Sequence, residues 1–248
     1  DTIGLDKHSP ILDIINLYGT SIDGIFHQGA CANTTETNAR VIFENNVELS
    51  HGILNAAIRL GIPIVYASSA AVYGNSISFS EIPENEKPIN LYAESKLVVD
   101  QYARFVMKAS SAAVVGLRYF NVYGPEESHK GKMASMPYQL CRQLRETGKM
   151  QIFEYGDQMR DFVHIDDIVA VNLFFMQSKF RGILNVGTGV ARSFNELVQT
   201  INGPVEYIPF DSKLYGKYQG FTQADLIQLR AAGYTKSFKS LEDGITTL

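Results

Sequence analysis

The 248-residue chain has no tryptophan, only two cysteines and only eight prolines. Cys31 and Cys141 show no C-x-x-C spacing, which excludes a disulfide framework and argues against a zinc site. A reduced, cytoplasmic setting is expected. Basic residues are not in excess. The 22 Lys and Arg stand against 26 Asp and Glu, for a net charge of −4, so neither a nucleic-acid surface nor a membrane-surface helix is indicated. No uninterrupted apolar run approaches the roughly 20 residues that span a bilayer, and the sequence as given opens without a signal peptide. Internal repeats and low-complexity segments are absent. So is a glycine-rich turn: neither G-x-G-x-x-G nor G-x-x-G-x-x-G occurs anywhere. The opening is instead polar, then modestly apolar, with Ile11, Leu12, Ile14 and Ile15 at helix-like spacing.

What is present is ordinary for a globular protein, 45% apolar and 19% charged residues, and the length is enough for one large domain or one domain and a small lobe. The chain is organised around Tyr92-Ala93-Glu94-Ser95-Lys96. A Tyr and a Lys four apart on a helix share one face. An ammonium beside a phenol is expected to pull its pKa down from about 10 and make it a usable general base. Alone, such a pair also occurs on many helices as a surface pair. Ahead of it, the apolar run Ile64 to Ala67 reads as a buried parallel strand ending in Ser68-Ser69. Ligands of open α/β sheets bind at the carboxyl ends of strands, where the Ser69 hydroxyl can hold a substrate oxygen and steer its proton toward Tyr92.

S-S-A-A-V-Y-G, then Y-x-x-x-K, then L-R-Y-F-N-V-Y-G-P (Leu117 to Pro125) together resemble the extended short-chain dehydrogenase/reductase superfamily, which contains nucleotide-sugar epimerases, dehydratases and reductases. H-Q-G-A-C-A-N-T-T-E (His27 to Glu36), H-K-G-K-M-A-S (His129 to Ser135), R-D-F-V-H-I-D-D (Arg160 to Asp167) and Y-Q-G-F-T-Q-A-D-L (Tyr218 to Leu226) are similar to its branch of 6-epimerases acting on ADP-linked heptoses. The resemblance runs from about Asp23 onward. It implies an α/β fold, a Rossmann-type doubly wound parallel sheet with a smaller C-terminal α/β substrate lobe. The dinucleotide-binding lobe would take residues 1–125 with 160–187 interleaved, and the substrate lobe residues 126–159 and 188–248. Against the family pattern, the first two strands with their glycine turn, and one to two helical turns with a loop near Asn202, are expected to be missing from this sequence. The residues that separate NAD from NADP lie in that part of the family.

The resemblance also implies an activity: an isomerase that oxidises C6 of an ADP-heptose with bound NADP (NAD not excluded) and reduces the ketone on its other face, in lipopolysaccharide core synthesis. Ser69, Tyr92 and Lys96 would be catalytic, and Lys130 the second acid/base that the opposite face requires. The cofactor would be held by Gln28, Gly29, Ala30, Cys31, Ala32, Asn45, Lys96, Val122 and Lys130. The substrate would be held by Asn121, Lys132, Gln139, Phe153, Glu154, Tyr155, Gly156, Arg160 and Tyr218. Lys132 and Gln139 depart from the family, which has Ser and His there. A lysine near a diphosphate is physically reasonable, and Arg160 suits bidentate phosphate pairing. A homo-oligomer is expected. The rival readings are another nucleotide-sugar epimerase or dehydratase, and a non-catalytic nucleotide-binding paralogue.

Several residues carry a plainer reading beside the functional one. Cys31 is a small residue at a tight turn and His27 a hydrogen-bonded histidine at a strand end. Asn45, in a helix expected over Glu44 to Leu60, can equally face solvent. Lys130 can equally pair with a phosphate or lie in solvent. Tyr119, Phe120 and Tyr123 are packing aromatics. Asp166-Asp167 open a helix through Phe175 and suit its N-terminal dipole. Gly187-Thr188-Gly189 is too short for a phosphate loop. Further expectations are strands at Gly24 to His27, Val114 to Tyr119, Ile183 to Val186 and Val205 to Ile208. Helices are expected at Leu91 to Met107 and Ser135 to Arg145. A capping box is expected at Ser193/Glu196, a helix Gln223 to Ala232 capped by Thr222, and the start of a last helix from Ser240. Irregular backbone is expected from Gly74 to Asn90 and from Glu126 to Lys132.

Overall fold

Ile11, Leu12, Ile14 and Ile15 form the apolar stripe of α1 (Ile11–Tyr18), the first element of a computed structural model that describes residue 4, residues 9–209 and residues 219–248. The described residues divide into two compact units.

The first unit comprises the chain up to Ser76, with Glu81–Arg118 and Asn172–Leu184. Its sheet has the order β1-β2-β3-β7, with β1 at Ile25–His27, β2 at Ile64–Ser69, β3 at Val114–Tyr119 and β7 at Gly182–Val186. β1 pairs with β2 in parallel, Ile25 opposite Ile64 and His27 opposite Tyr66. Every residue of β3 but the last is buried, as a parallel strand covered on both faces requires. The expected helix at Glu44 to Leu60 is longer and broken in character. α2 (Ala39–Ile42) runs into a π-helical stretch, Phe43–Glu48, and then α3 (Leu49–Leu60). α3 ends on Gly61 in the left-handed region (φ 71°), a common helix stop. α4 spans Leu91–Ala109, two residues beyond the expected end, and Asn90 caps it by accepting from the Ala93 amide at 2.8 Å. Its buried side, Val99 and Ala103, packs with Ile53, Leu54, Ala57, Ile64, Tyr66 and Val114 in one apolar core.

After β2 a single 3-10 turn, Ala70–Tyr73, leads to Gly74. A Cβ at Gly74 would stand 1.7 Å from the Lys87 carbonyl, and its φ is 50°, so only glycine closes this turn without strain. The Gly74 to Asn90 stretch is irregular as expected, apart from a 3-10 turn at Pro83–Asn85.

The second unit comprises Ile77–Ser80, Tyr119–Val171 and, in its described residues, Asn185–Leu248. β4 (Asn121–Tyr123) pairs in parallel with β6 (Met159–His164), whose first half pairs antiparallel with β8 (Ala191–Ser193). β5 (Met150–Phe153) pairs with β9 (Val205–Ile208). The pairing of β4 with β6 groups residues 119–125 and 160–171 with this unit, whereas the sequence assigned them to the cofactor lobe. α5 (Met136–Thr147), capped by Ser135, and α7 (Phe194–Ile201) close over these strands, with Leu140, Met150, Ile152, Phe162, Phe194, Leu197 and Val198 in a shared core. α6 spans Ile165–Met176. The capping box holds: Ser193 Oγ accepts from the Glu196 amide at 3.1 Å and Glu196 accepts from the Ser193 amide at 2.7 Å.

The C-terminal segment differs from expectation. Only Ile227–Ala231 is helical (α8), followed by α9 (Leu241–Ile245). Thr222 is not its cap. It is buried, its amide donates to the Met159 carbonyl at 3.1 Å, and its hydroxyl donates to Asn121 Oδ1 at 3.3 Å. The backbone of 221–224 is drawn out along β6 by these bonds and by the Phe221–Met159 bridge, which outweighs the helical preference of Gln and Ala. Among the described residues no helix is long and apolar enough to cross a membrane, and no group of His, Cys, Asp or Glu is arranged to hold a metal ion.

Candidate active site

In the first unit the predicted residues converge where β2 ends beside α4. Ser69 is the last residue of β2, and its Oγ accepts from the Ala71 amide at 3.1 Å, which starts the following turn. The Ser69 hydroxyl lies near enough to the Tyr92 phenol to favour its ionised form. Tyr92 lies in the first turn of α4 and is half-buried. Lys96, one turn on, is 6% exposed and donates from Nζ to the Ala67 carbonyl at 2.8 Å.

The electrostatics differ from the sequence expectation at one point. Burial pushes the Tyr92 phenol above its ordinary value, with the Ser69 hydroxyl opposing and the neighbouring Cys31 adding to the rise. The expected downward pull from Lys96 is not expressed, because the ammonium is directed at the β2 backbone and is itself destabilised by burial. Its pKa falls to about 8, with Asp100 resisting the fall.

The turn after β1 is held from the side. Asn46, 1% exposed within the π-helical stretch, accepts from the Cys31 amide at 2.7 Å and donates to the Cys31 carbonyl at 3.1 Å. It also donates to Ser95 Oγ at 3.0 Å, and Ser95 donates to the Tyr92 carbonyl at 2.7 Å. Cys31 is thus the small turn residue expected. Asn45 Nδ2 donates to the Val41 carbonyl of its own helix at 2.7 Å. The π turn, with one extra residue per turn, carries Asn46 inward to the Cys31 turn. Gln28 Nε2 donates to Asn172 Oδ1 at 3.0 Å. Gly29 has open space where a Cβ would stand, and Ala30 and Ala32 continue the small-residue turn. His27 bonds Ser50 Oγ at 2.8 Å, the structural reading. Burial, then the Lys96 charge, lower its pKa to about 4.

Beneath this site lies a buried charge network that the sequence did not announce. Asp100, fully buried, accepts from Tyr66 Oη, Ser68 Oγ and Arg118 Nε, each at 2.9 Å. Arg118, also fully buried, reaches Tyr73 Oη at 3.0 Å and pairs with Glu86, which Arg104 grips from the other side at 2.5 and 3.0 Å.

In the second unit, Lys130 sits in a 3-10 segment, Glu127–Met133, where the sequence suggested a loop. Its Nζ lies 3.2 Å from Glu127 Oε2 and its side chain is 44% exposed. Glu127 is buried and also accepts from the Gly124 and Ser135 amides and the Ser135 hydroxyl. Lys132 is exposed; Gln139 donates to the Ala134 carbonyl at 2.5 Å and the Lys132 carbonyl at 3.3 Å. Val122 is half-buried in β4. Arg160 is buried, donates to the carbonyls of Met159 and Gln219, and lies over the Phe194 ring at 5.9 Å. Phe153 ends β5, and Glu154, Tyr155 and Gly156 make the turn that follows it. Tyr155 is 76% exposed at φ 72°, and its carbonyl accepts from Asn195 Nδ2 at 2.6 Å. Tyr218 lies outside the described residues.

Two tempting motifs resolve structurally. The amides of Thr188 and Gly189 donate to Asp161, at 2.7 and 2.8 Å, as do the Thr188 hydroxyl at 2.7 Å and the Ala224 amide at 3.0 Å. An internal carboxylate occupies the nest a phosphate would need. Asp166 pairs with Lys239 Nζ at 2.5 Å, and Asp167 accepts the Lys239 amide at 2.8 Å.

Residues 8–187 match the sequence profile of the NAD dependent epimerase/dehydratase family. The ADP-L-glycero-D-manno-heptose-6-epimerase of Alkalilimnicola ehrlichii is 47% identical over 236 residues, 90% of this chain and 74% of that protein. The crystal structure of the enzyme of the same name from Helicobacter pylori superposes with a TM-score of 0.85 at 36% identity, covering 98% of this chain and 76% of that one. A UDP-N-acetylglucosamine 4-epimerase from Methanobrevibacter ruminantium shares the fold at 23% identity, again with a TM-score of 0.85, over 94% of this chain and 77% of that one. The motifs, the α/β fold and these matches agree: the chain belongs to the NAD dependent epimerase/dehydratase family.

Proposed function

We propose that the chain is the catalytic part of an epimerase converting ADP-D-glycero-D-manno-heptose to its L-glycero epimer at C6, in lipopolysaccharide core synthesis. The observation that carries it is the meeting of Ser69, at the end of β2, with Tyr92, one helical turn from the buried Lys96, in a chain 47% identical to an enzyme of that name.

A nicotinamide dinucleotide, when bound, supplies an acceptor and then a donor of hydride, so the reaction is redox-neutral. NADP is the proposed form, with NAD the alternative. The residues fit such a group: the Gly29 turn has room for close approach, and Lys96 spends one of its three donors on Ala67. Gln28 to Ala32, Asn45, Lys96, Val122 and Lys130 are proposed to hold it. Tyr92 is the proposed acid/base at the C6 hydroxyl, and Ser69 keeps that oxygen within reach. Lys130 serves as acid/base when the ketone is reduced on its other face. Glu127, 3.2 Å from the Lys130 ammonium, fixes where that side chain lies. Asn121, Lys132, Gln139, Phe153 to Gly156, Arg160 and Tyr218 are proposed substrate contacts. Arg160 and Lys132 supply charge for a diphosphate.

The test is epimerisation of ADP-D-glycero-D-manno-heptose by the full-length protein, followed by NMR. Tyr92→Phe and Lys130→Met should each lower kcat by a hundredfold or more, the usual scale of acid/base loss. Wild-type turnover by Lys130→Met would remove it from the chemistry. Wild-type turnover by Tyr92→Phe would overturn the mechanism.

A further inference from the structure

Three hydrogen bonds join the end of β2 to α4. The Tyr66 and Ser68 hydroxyls donate to Asp100, and the Ala67 carbonyl between them receives Lys96. Ser69 follows at once on β2. Tyr92 lies one turn before Lys96 on α4, and Asp100 one turn after it. A slip of strand against helix would therefore displace Ser69 from Tyr92, and Asp100 makes two of the three bonds that oppose it. A buried, fully ionised carboxylate is costly unless paired. Asp100 is paired by Arg118, which Glu86 and Tyr73 hold in turn.

We propose that Asp100 is a positioning residue for the Ser69, Tyr92 and Lys96 constellation: it clamps the end of β2 to α4 and keeps the Lys96 ammonium charged. The inference rests on the catalytic reading above. Lys96 is faced by Asp100 from its own helix and by His27 from β1, whose pKa its charge depresses. Asp100 is faced by Arg118 from β3, by Tyr66 and Ser68 from β2 and by the charge of Arg104 from α4. His27 stays neutral near pH 7, so Asp100 is the anion that offsets the burial of Lys96. The two roles separate chemically. The clamp needs the hydroxyls of Tyr66 and Ser68, and the electrostatic support needs only the charge.

The experiment compares kcat and KM against pH for the full-length holoenzyme, Asp100→Asn, Asp100→Glu and the double variant Tyr66→Phe/Ser68→Ala. Asp100→Asn should lose at least tenfold in kcat with KM changed less than threefold. Its alkaline limb should lie about one pH unit lower, the scale of one lost charge partner. The double variant should lose kcat without moving that limb, and Asp100→Glu should recover the limb. A lowered melting temperature with an unmoved pH profile in Asp100→Asn would overturn the electrostatic role. Unchanged kcat in the double variant would overturn the clamp, and this arm decides should Asp100→Asn fail to fold. Tyr92→Phe run alongside separates the failures: full activity there would sink the catalytic reading, whatever Asp100 does.

Discussion

Replacing Lys96 by methionine should abolish turnover and yet make the nucleotide-free protein more stable at pH 7. Lys96 is 6% exposed, and its pKa falls from an ordinary 10.5 to about 8, chiefly through burial. At about 1.4 kcal/mol per tenfold change, this is a penalty of roughly 3 kcal/mol for keeping the ammonium charged in the fold. Methionine has a similar length and no charge. It forfeits the charge-assisted bond to Ala67, worth about 2 kcal/mol, which leaves a net gain of roughly 1 kcal/mol. The sign follows from proton binding. Between pH 8 and 10.5 the unfolded lysine binds more protons than the folded one, so wild-type stability rises with pH across that window. The methionine variant lacks this rise, so its advantage should shrink from pH 7 to pH 10. Urea unfolding of both proteins at several pH values reads the difference directly. A variant less stable than wild type at pH 7, or an advantage that does not change with pH, would refute the reasoning.

Three further outcomes follow from other sites. A Cβ at Gly116 would stand 2.4 Å from Tyr66 Oη, so Gly116→Ala should cost about 1–3 kcal/mol by overpacking, read as a lower urea midpoint. Asp161→Ala strips four donors of their acceptor and should cost about 3 kcal/mol or more, with faster amide exchange at Thr188 and Gly189. His27, held neutral with a pKa of about 4, takes up a proton more readily when unfolded. Its share of stability should be lost as pH falls from 6.5 through 4, and His27→Gln should flatten the acid limb of the unfolding curve.

The residues proposed to react were readable as candidates because their chemistry is written in short spacings. Tyr92 and Lys96 are one turn apart, and Ser69 ends an apolar strand that only a buried parallel position explains. The supporting residues were not. Asp100 and Arg118 lie eighteen positions apart on different elements, and each reads alone as a solvated charge; only the crossing of α4 over β2 and β3 pairs them. The buried role of Asn46 hung on a π turn, which leaves no mark in an apolar pattern. Thr222 and Gln223 carry local helix signals, but tertiary bonds to Met159, Asn121 and Asp161 outbid them. The Gly187-Thr188-Gly189 turn was correctly read as structural, while its partner Asp161 was invisible beside Arg160, the more conspicuous charge.

The central claim is that C6 is inverted by removing and returning the same hydride. The direct test is conversion of ADP-D-glycero-D-manno-heptose by the full-length protein in D2O, with C6 followed by NMR and mass spectrometry. The account predicts the L-glycero epimer with its C6 hydrogen retained and no deuterium gained. One deuterium at C6 of the product would mean proton exchange with solvent instead of hydride return, and would contradict it.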